Sequence, residues 1–281
     1  MQPRDVGESA VPSVERERWS VGGSRISTTS LEGMLSQSRT RPRALIGMLH
    51  TDEPSLPTAI RSVEEQQDVV TTLDLIGPLP KWEAHRRLFQ RFSEDAGAHE
   101  ILVKLDADME LLEPRLLSSA ALLMRRYPRL DHIVLGVDDW LSQERIMGLS
   151  IWRSGVIWDQ QPPDLFTDLA PARIRARMKL IDGGRPLVAH ARSPNELQAV
   201  RYGAHRATKA LRTRKRSRLQ RLRGFADVVA ASPAPARRLA LAGVEAALTD
   251  EALGRILIDG DQPVPDAVLA LLRERATQLD G

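Results

Sequence analysis

The chain has 281 residues, 42% of them hydrophobic and 27% charged, with no cysteine and a net charge of +3. That length accommodates one large domain, or a domain with a smaller appendage, and the composition excludes a disordered chain. Absent cysteine excludes disulfides and thiolate-ligated metals, and no apolar run approaches the roughly 20 residues a spanning helix needs.

Met1 to Arg41 is rich in Ser, Gly, Thr and charge and has no sustained period. It reads as a flexible tail carrying at most a short helix over Ser30 to Leu35. Met1 to Glu17 lacks the apolar stretch of a secretory signal, so a cytoplasmic location is expected. Ala44 to Leu49 reads as a strand, and Pro54 to Gln66 as a helix with its proline near the start, where a missing N–H costs least. Val69 to Ile76 is a β-branched run closed by Gly77-Pro78, hence a second strand. Trp82 to Phe92 spaces its apolar residues as an amphipathic helix does.

The next stretch, Ile101-Leu102-Val103-Lys104-Leu105-Asp106-Ala107-Asp108-Met109, is a short aliphatic run ending in two carboxylates. It reads as a buried strand that delivers both side chains to a sheet edge, where open α/β folds bind ligands. Hard oxygen ligands there suit Mg²⁺ or Mn²⁺, held by one or two carboxylates plus substrate phosphates. The bland alternative is a helix cap or turn, which also favours Asp.

Pro114 to Tyr127 reads as a helix, Asp131 to Val137 as a strand, and Ile146 to Trp158 as one or two more. Strands alternating with helices imply an α/β layered sheet. After Pro171 the pattern turns helical over Arg173 to Leu180, then Pro186 to Ala189 forms a short strand. Asn195 to about Arg223, Ala236 to Leu248 and Pro265 to Leu279 all read as helix. The organisation expected is a tail over 1–41, a catalytic domain over 42–200 and a basic helical region over 201–281. Ten Lys or Arg and no Asp or Glu lie between Arg201 and Arg223, which leaves −7 on the rest of the chain.

Several of these segments carry a resemblance. Arg43 to Met48 with His50-Thr51-Asp52-Glu53-Pro54, then Ser62 and Gln66, resembles the opening of a family 2 glycosyltransferase of bacterial type. Lys104 to Met109 resembles that family's metal-binding Asp-x-Asp. Gly148-Leu149-Ser150-Ile151-Trp152-Arg153 is similar to its Gly-x-x-x-aromatic-Arg strand. Gln198 to Arg206 resembles the helix that closes the domain in some members. The likeness covers roughly Arg43 to Lys209.

The resemblance implies a GT-A type, Rossmann-like mixed sheet flanked by helices. It implies a metal-dependent transfer of a sugar from a nucleotide-sugar donor to a hydroxyl of a glycan, glycolipid or small molecule, with inversion. Asp108 would be the direct metal ligand, joined by His190, since neutral imidazole suits such ions. Asp106 would contact the ribose or reach the metal through water, and Asp52 and Glu53 would meet the donor nucleoside. Inversion needs a general base for the acceptor hydroxyl. Asp168 occupies the region where the family carries Glu-Asp, although Thr167 stands in place of the Glu; Asp138 and Asp139 are the alternative. Trp140, beside them, is expected to stack on the acceptor.

The basic stretch is expected to dock on anionic membrane, at about 1 kcal/mol per basic residue near the surface. Nucleic acid is not expected, because no nucleic-acid module accompanies it. The rival readings are a nucleic-acid-binding or scaffolding protein whose Asp-x-Asp is only a cap, and a Mg²⁺-dependent nucleotidyltransferase. Against the last, no Gly-rich phosphate loop precedes a helix.

Overall fold

The structure, a computed structural model, describes residues 40–51, 53–95, 97–159, 172–180, 184–213, 216–232, 234–259 and 264–278. Among them lie ten strands and eight helices. The strands are β1 (Arg43–Leu49), β2 (Val70–Ile76), β3 (Ile101–Asp106), β4 (Met109–Leu111), β5 (Leu130–Asp139), β6 (Glu144–Arg153), β7 (Ile157–Trp158), β8 (Ala172–Arg173), β9 (Ala176–Leu180) and β10 (Val188–His190). The helices are α1 (Leu56–Glu64), α2 (Lys81–Ser93), α3 (Leu116–Arg126), α4 (Glu196–Thr213), α5 (Arg216–Ala231), α6 (Pro235–Thr249), α7 (Glu251–Asp259) and α8 (Asp266–Gln278).

The main sheet runs β2-β1-β3-β6-β5-β10-β4, with β9 added alongside β5. β1 pairs in parallel with β2 and β3, whereas β6 runs antiparallel to both β3 and β5. β10 is parallel to β5 and antiparallel to β4. This is the mixed, helix-flanked α/β sheet expected from the sequence.

β1 is buried from Ala44 to Leu49, as a strand covered on both faces must be. One face packs Ile46, Met48, Val103, Leu105 and Val188 against α1 and α3. The other packs Leu45, Leu102 and Trp152 against Leu88, Phe89 and Phe92 of α2. A separate apolar cluster joins Ala199, Ala204 and Ala207 of α4 to Phe225 of α5, Ala240 and Val244 of α6, and Leu272 of α8.

The motif residues that resemble the family serve structure at several points. Ser62 Oγ accepts from Leu111 N–H at 3.1 Å. Gln66 donates to Glu113 O at 3.0 Å and accepts from Leu117 N–H at 3.1 Å, so it caps the first turn of α3. Together they tie α1 to both sides of the loop that follows the Asp-x-Asp. At the other end of α3, Arg153 donates to the carbonyls of Met124 and Tyr127 (2.9 Å), groups the helix itself cannot satisfy, and to that of Leu130 (3.1 Å) at the start of β5.

Two expectations are corrected and two elements are added. Arg173 to Leu180 is not helical: it holds β8 and β9, and β9 extends the sheet along Leu130 to Leu135. That edge of β5 lies beyond the reach of β10, and a strand laid along it satisfies its backbone groups. Asp131 fixes the entry by accepting from Arg175 N–H at 2.7 Å and from its guanidinium at 2.6 and 2.9 Å.

The long basic helix is two helices, with residues 214–215 between them outside the described residues. A straight helix would hold Tyr202 and Phe225 about 35 Å apart at 1.5 Å per residue. Their rings lie 5.9 Å apart, so the chain turns back to bury both in one core. Glu251 to Asp259, which sequence reading left without an element, forms α7, and Met109 to Leu111 after the Asp-x-Asp is a strand of its own.

Candidate active site

β3 ends at Asp106, and a turn at Ala107 and Asp108 leads into β4. Alternation along β3 points Lys104 and Asp106 to the α2 face. There Lys104 Nζ lies 2.7 and 2.8 Å from the two carboxylate oxygens of Asp106. Burial opposes the charge of Asp106, yet Lys104 outweighs it and holds the carboxyl below its ordinary range. Asp106 is thus ionised and already engaged by a cation.

Asp108 sits differently. Its Oδ1 is buried with no hydrogen-bond partner among the described residues, and its Oδ2 lies 3.3 Å from His190 Nε2. Leaving a buried carboxylate oxygen unbonded is costly, so the position favours a species that completes its shell. The backbone secures the pairing: Asp108 O accepts from Ala191 N–H at 2.9 Å, and His190 registers with Met109 across β4.

On its other side, β10 registers His190 with Asp139 of β5. His190 Nδ1 lies 2.7 Å from Asp139 Oδ1. Asp139 is buried at 2% exposure. Its Oδ2 accepts from Ser142 N–H at 3.0 Å and from the hydroxyls of Ser142 and Tyr202, with Arg206 Nη2 at 3.8 Å. Burial works against the Asp139 charge, but these donors and His190 hold its carboxyl below the usual value. For His190, burial disfavours the charged ring, and the carboxylates of Asp108 and Asp139 override it and raise it well above 6.5.

The neighbouring Asp138 points to the opposite side of β5. It pairs with Arg145 Nε at 2.5 Å and is 40% exposed. It borders a cavity of about 620 Å³ lined also by Trp140, Gln143, Arg145, Ala189 and Arg192. Trp140 is anchored there, its carbonyl accepting from Arg237 Nη2 at 2.9 Å and its ring covered by that guanidinium at 4.4 Å.

Asp108, His190 and Asp139 are therefore in direct chain, Asp106 stands at the same strand end, and Asp138 and Trp140 open on the adjoining cavity. Glu53 instead accepts from Thr51 N–H at 2.7 Å and Oγ1 at 2.8 Å in the loop after β1. Asp52 and Asp168 lie outside the described residues. Among the described residues, no group of three or more His, Asp and Glu forms a ready metal cage.

Sequence reading overlooked Ser142, Tyr202 and Arg206. The spacing of Tyr202 and Arg206, one turn apart on a helix, was the only local signal. The basic stretch is also less uniform than its composition. Arg206 turns inward, 4.8 Å over the Tyr202 ring. Burial, with Arg218 and Lys81 nearby, pulls Lys209 down to about 8. Arg212, Arg216, Arg221 and Arg223 are exposed.

No protein-family model matches the chain, and no curated protein matches it. The solved structures similar to it over part or most of its length include two glycosyltransferases. One is a glycosyltransferase involved in glycosylation of the major capsid of PBCV-1, 18% identical, with a TM-score of 0.30. The match spans 40% of this chain and 60% of that one, under two thirds of its length. The other is a mannosyltransferase from Pyrobaculum calidifontis in complex with GDP-Man and Mn²⁺. It is 14% identical with a TM-score of 0.37, and the match covers 89% of this chain and 91% of that one. Overlap this loose is a partial likeness of shape, and the weight falls on the site itself.

Proposed function

We propose that the protein is a metal-dependent glycosyltransferase of GT-A type that moves a sugar from a nucleotide-sugar donor to a hydroxyl acceptor. The observation that carries this is the buried, unbonded Oδ1 of Asp108 beside His190 at the C-terminal end of the sheet. A carboxylate oxygen and an imidazole nitrogen fit Mn²⁺ or Mg²⁺, and two protein ligands suffice when a diphosphate and water complete the shell. Asp108 and His190 would hold that ion. When bound, it supplies positive charge against the leaving nucleoside diphosphate.

The rest is the work of side chains. Asp106, fixed by Lys104, accepts from donor hydroxyls. Glu53, in the loop after β1, and Asp52, outside the described residues, meet the nucleoside. Trp140 offers its remaining ring face to an acceptor sugar in the cavity. With inversion, the acceptor loses its proton to a carboxylate open to that cavity. The Asp138 carboxylate has this access; Asp139 also lines the cavity, but its carboxylate is buried with both oxygens occupied. Asp168 is the other candidate base. No helix among the described residues is long and apolar enough to cross a membrane. The exposed Arg212, Arg216, Arg221 and Arg223 support peripheral contact with anionic lipid from the cytoplasmic side.

Thermal unfolding with a panel of nucleotide sugars, with and without Mn²⁺, tests the reading. A ligand at 100 times its Kd stabilises the native state by about 2.7 kcal/mol. At least one nucleotide sugar should raise the midpoint, and more so with Mn²⁺. If none does in either condition, the proposal fails.

A further inference from the structure

We propose that Asp139 is a positioning residue that locks the His190 ring so that Nε2 faces Asp108, where a divalent ion would sit and take the place of the Nε2 proton. The inference rests on the metal-site reading above and adds a role for a residue that touches neither metal nor substrate.

A carboxylate can only accept, so the 2.7 Å contact requires Nδ1 to carry the proton. Once Nδ1 is committed to Asp139, Nε2 is the nitrogen left to ligate, and it faces Asp108 at 3.3 Å. A histidine ligand oriented by a carboxylate behind it is a recurrent way to fix tautomer and ring angle.

Asp139 is itself immobilised. Three donors converge on Oδ2: the Ser142 N–H, the Ser142 hydroxyl and the Tyr202 hydroxyl. They leave Oδ1 no other orientation. Two come from the turn after β5 and one from α4, so the helical region braces a ligand that the sheet carries.

This arrangement makes a sharp demand on residue type. In Asp139→Asn, the three donors would claim the amide oxygen at the Oδ2 position and turn the NH₂ toward His190. An NH₂ needs an acceptor, so Nδ1 would give up its proton and Nε2 would keep one. The ring would then keep its one remaining proton on Nε2, the nitrogen that must ligate. The change is isosteric, yet it should disable the ligand.

The experiment titrates the full chain with Mn²⁺ alone, following free Mn²⁺ by electron paramagnetic resonance. Electron spin echo modulation reports whether a ring nitrogen is bound. The wild type should bind Mn²⁺ and show the nitrogen modulation, and His190→Ala should lose it. Asp139→Asn should weaken binding by 10–100-fold, the usual cost of losing such an orienting partner, and lose the modulation. Should the buried Asn impair folding, Tyr202→Phe removes one brace while keeping the ring, and it should also weaken binding. Wild-type affinity and modulation in either folded variant would overturn the positioning role while the metal site stands. Failure of the wild type to bind Mn²⁺ either alone or with a nucleoside diphosphate to complete the shell, or indifference to His190→Ala, would instead sink the metal reading, and this inference with it.

Discussion

The sheet and the helical region are packed by opposite means. The sheet buries Leu45, Ile46, Ile101, Leu102, Leu105 and Trp152, large side chains that interdigitate across two faces. The helical region buries mainly alanine, and its helices approach until backbone meets backbone. A Cβ built at Gly203 of α4 would lie 1.7 Å from Ala240 O of α6, and one at Gly243 would lie 2.2 Å from Val200 O. A core of large side chains is harmed by removing volume, whereas a core of small residues is harmed by adding it. The candidate site lies at the seam: Asp108 and His190 come from the sheet, while Tyr202, which braces Asp139, comes from α4.

The largest test of this comparison is acid, which strikes histidines in both regions. Burial, with Lys104 nearby, lowers His85 to about 4, and burial with Arg177 lowers His132 to about 3. Burial, with Lys81 and Arg206 close by, lowers His205 on α4 to about 3. Each is neutral in the fold and readily charged when unfolded. The stability they lend is present above about pH 6.5 and is withdrawn as pH falls toward their folded values. Each of the two most buried, His85 and His132, can withdraw at most about 1.4 kcal/mol per pH unit. His190 acts in the opposite sense: its raised value lends stability below 6.5 that is lost as pH climbs through the folded value. Denaturant midpoints should therefore decline from about pH 6.5 to about 5.5, before ordinary carboxylates titrate. A flat profile over that window would contradict the burial of these rings.

Next in size is a truncation in the sheet. Leu102→Ala removes a fully buried side chain packed with Phe92 and Trp152 and should cost 2–5 kcal/mol in urea unfolding. A loss below about 1 kcal/mol would mean that this face repacks freely, contrary to the interdigitation described.

The smallest change, one methyl group, sharpens the contrast. Gly203→Ala has no side chain to push aside, only the Ala240 carbonyl, so α4 and α6 must separate at a cost of about 1–3 kcal/mol. Because Tyr202 is its neighbour, the same change should loosen the brace on Asp139 and lower Mn²⁺ affinity. A neutral effect on stability would show that the helices have room to spare.

Much of this was written locally. Short aliphatic and β-branched runs marked β1, β2, β3, β5 and β6, and the run before Asp106 and Asp108 announced a strand ending in carboxylates, because composition and length are properties of a short segment. The same cues failed at Arg173 to Leu180, whose state is decided by the edge of β5 and by Asp131 more than forty residues away. They also failed at the basic stretch, where composition suggests one exposed helix and the core requires a turn.

The distinction is sharpest at Asp138 and Asp139. Sequence could nominate both as carboxylates at a strand end, and period two alone implies that they face opposite ways. Which carboxylate opens on the cavity and which is sealed against His190 depends on the pairing of β5 with β10, fifty-one residues later, and on the docking of α4 beyond it. Residue types and spacing determine what chemistry a segment can offer. Long-range register and helix docking determine which groups come within hydrogen-bond distance, because that geometry is set by packing between distant segments and by no segment alone.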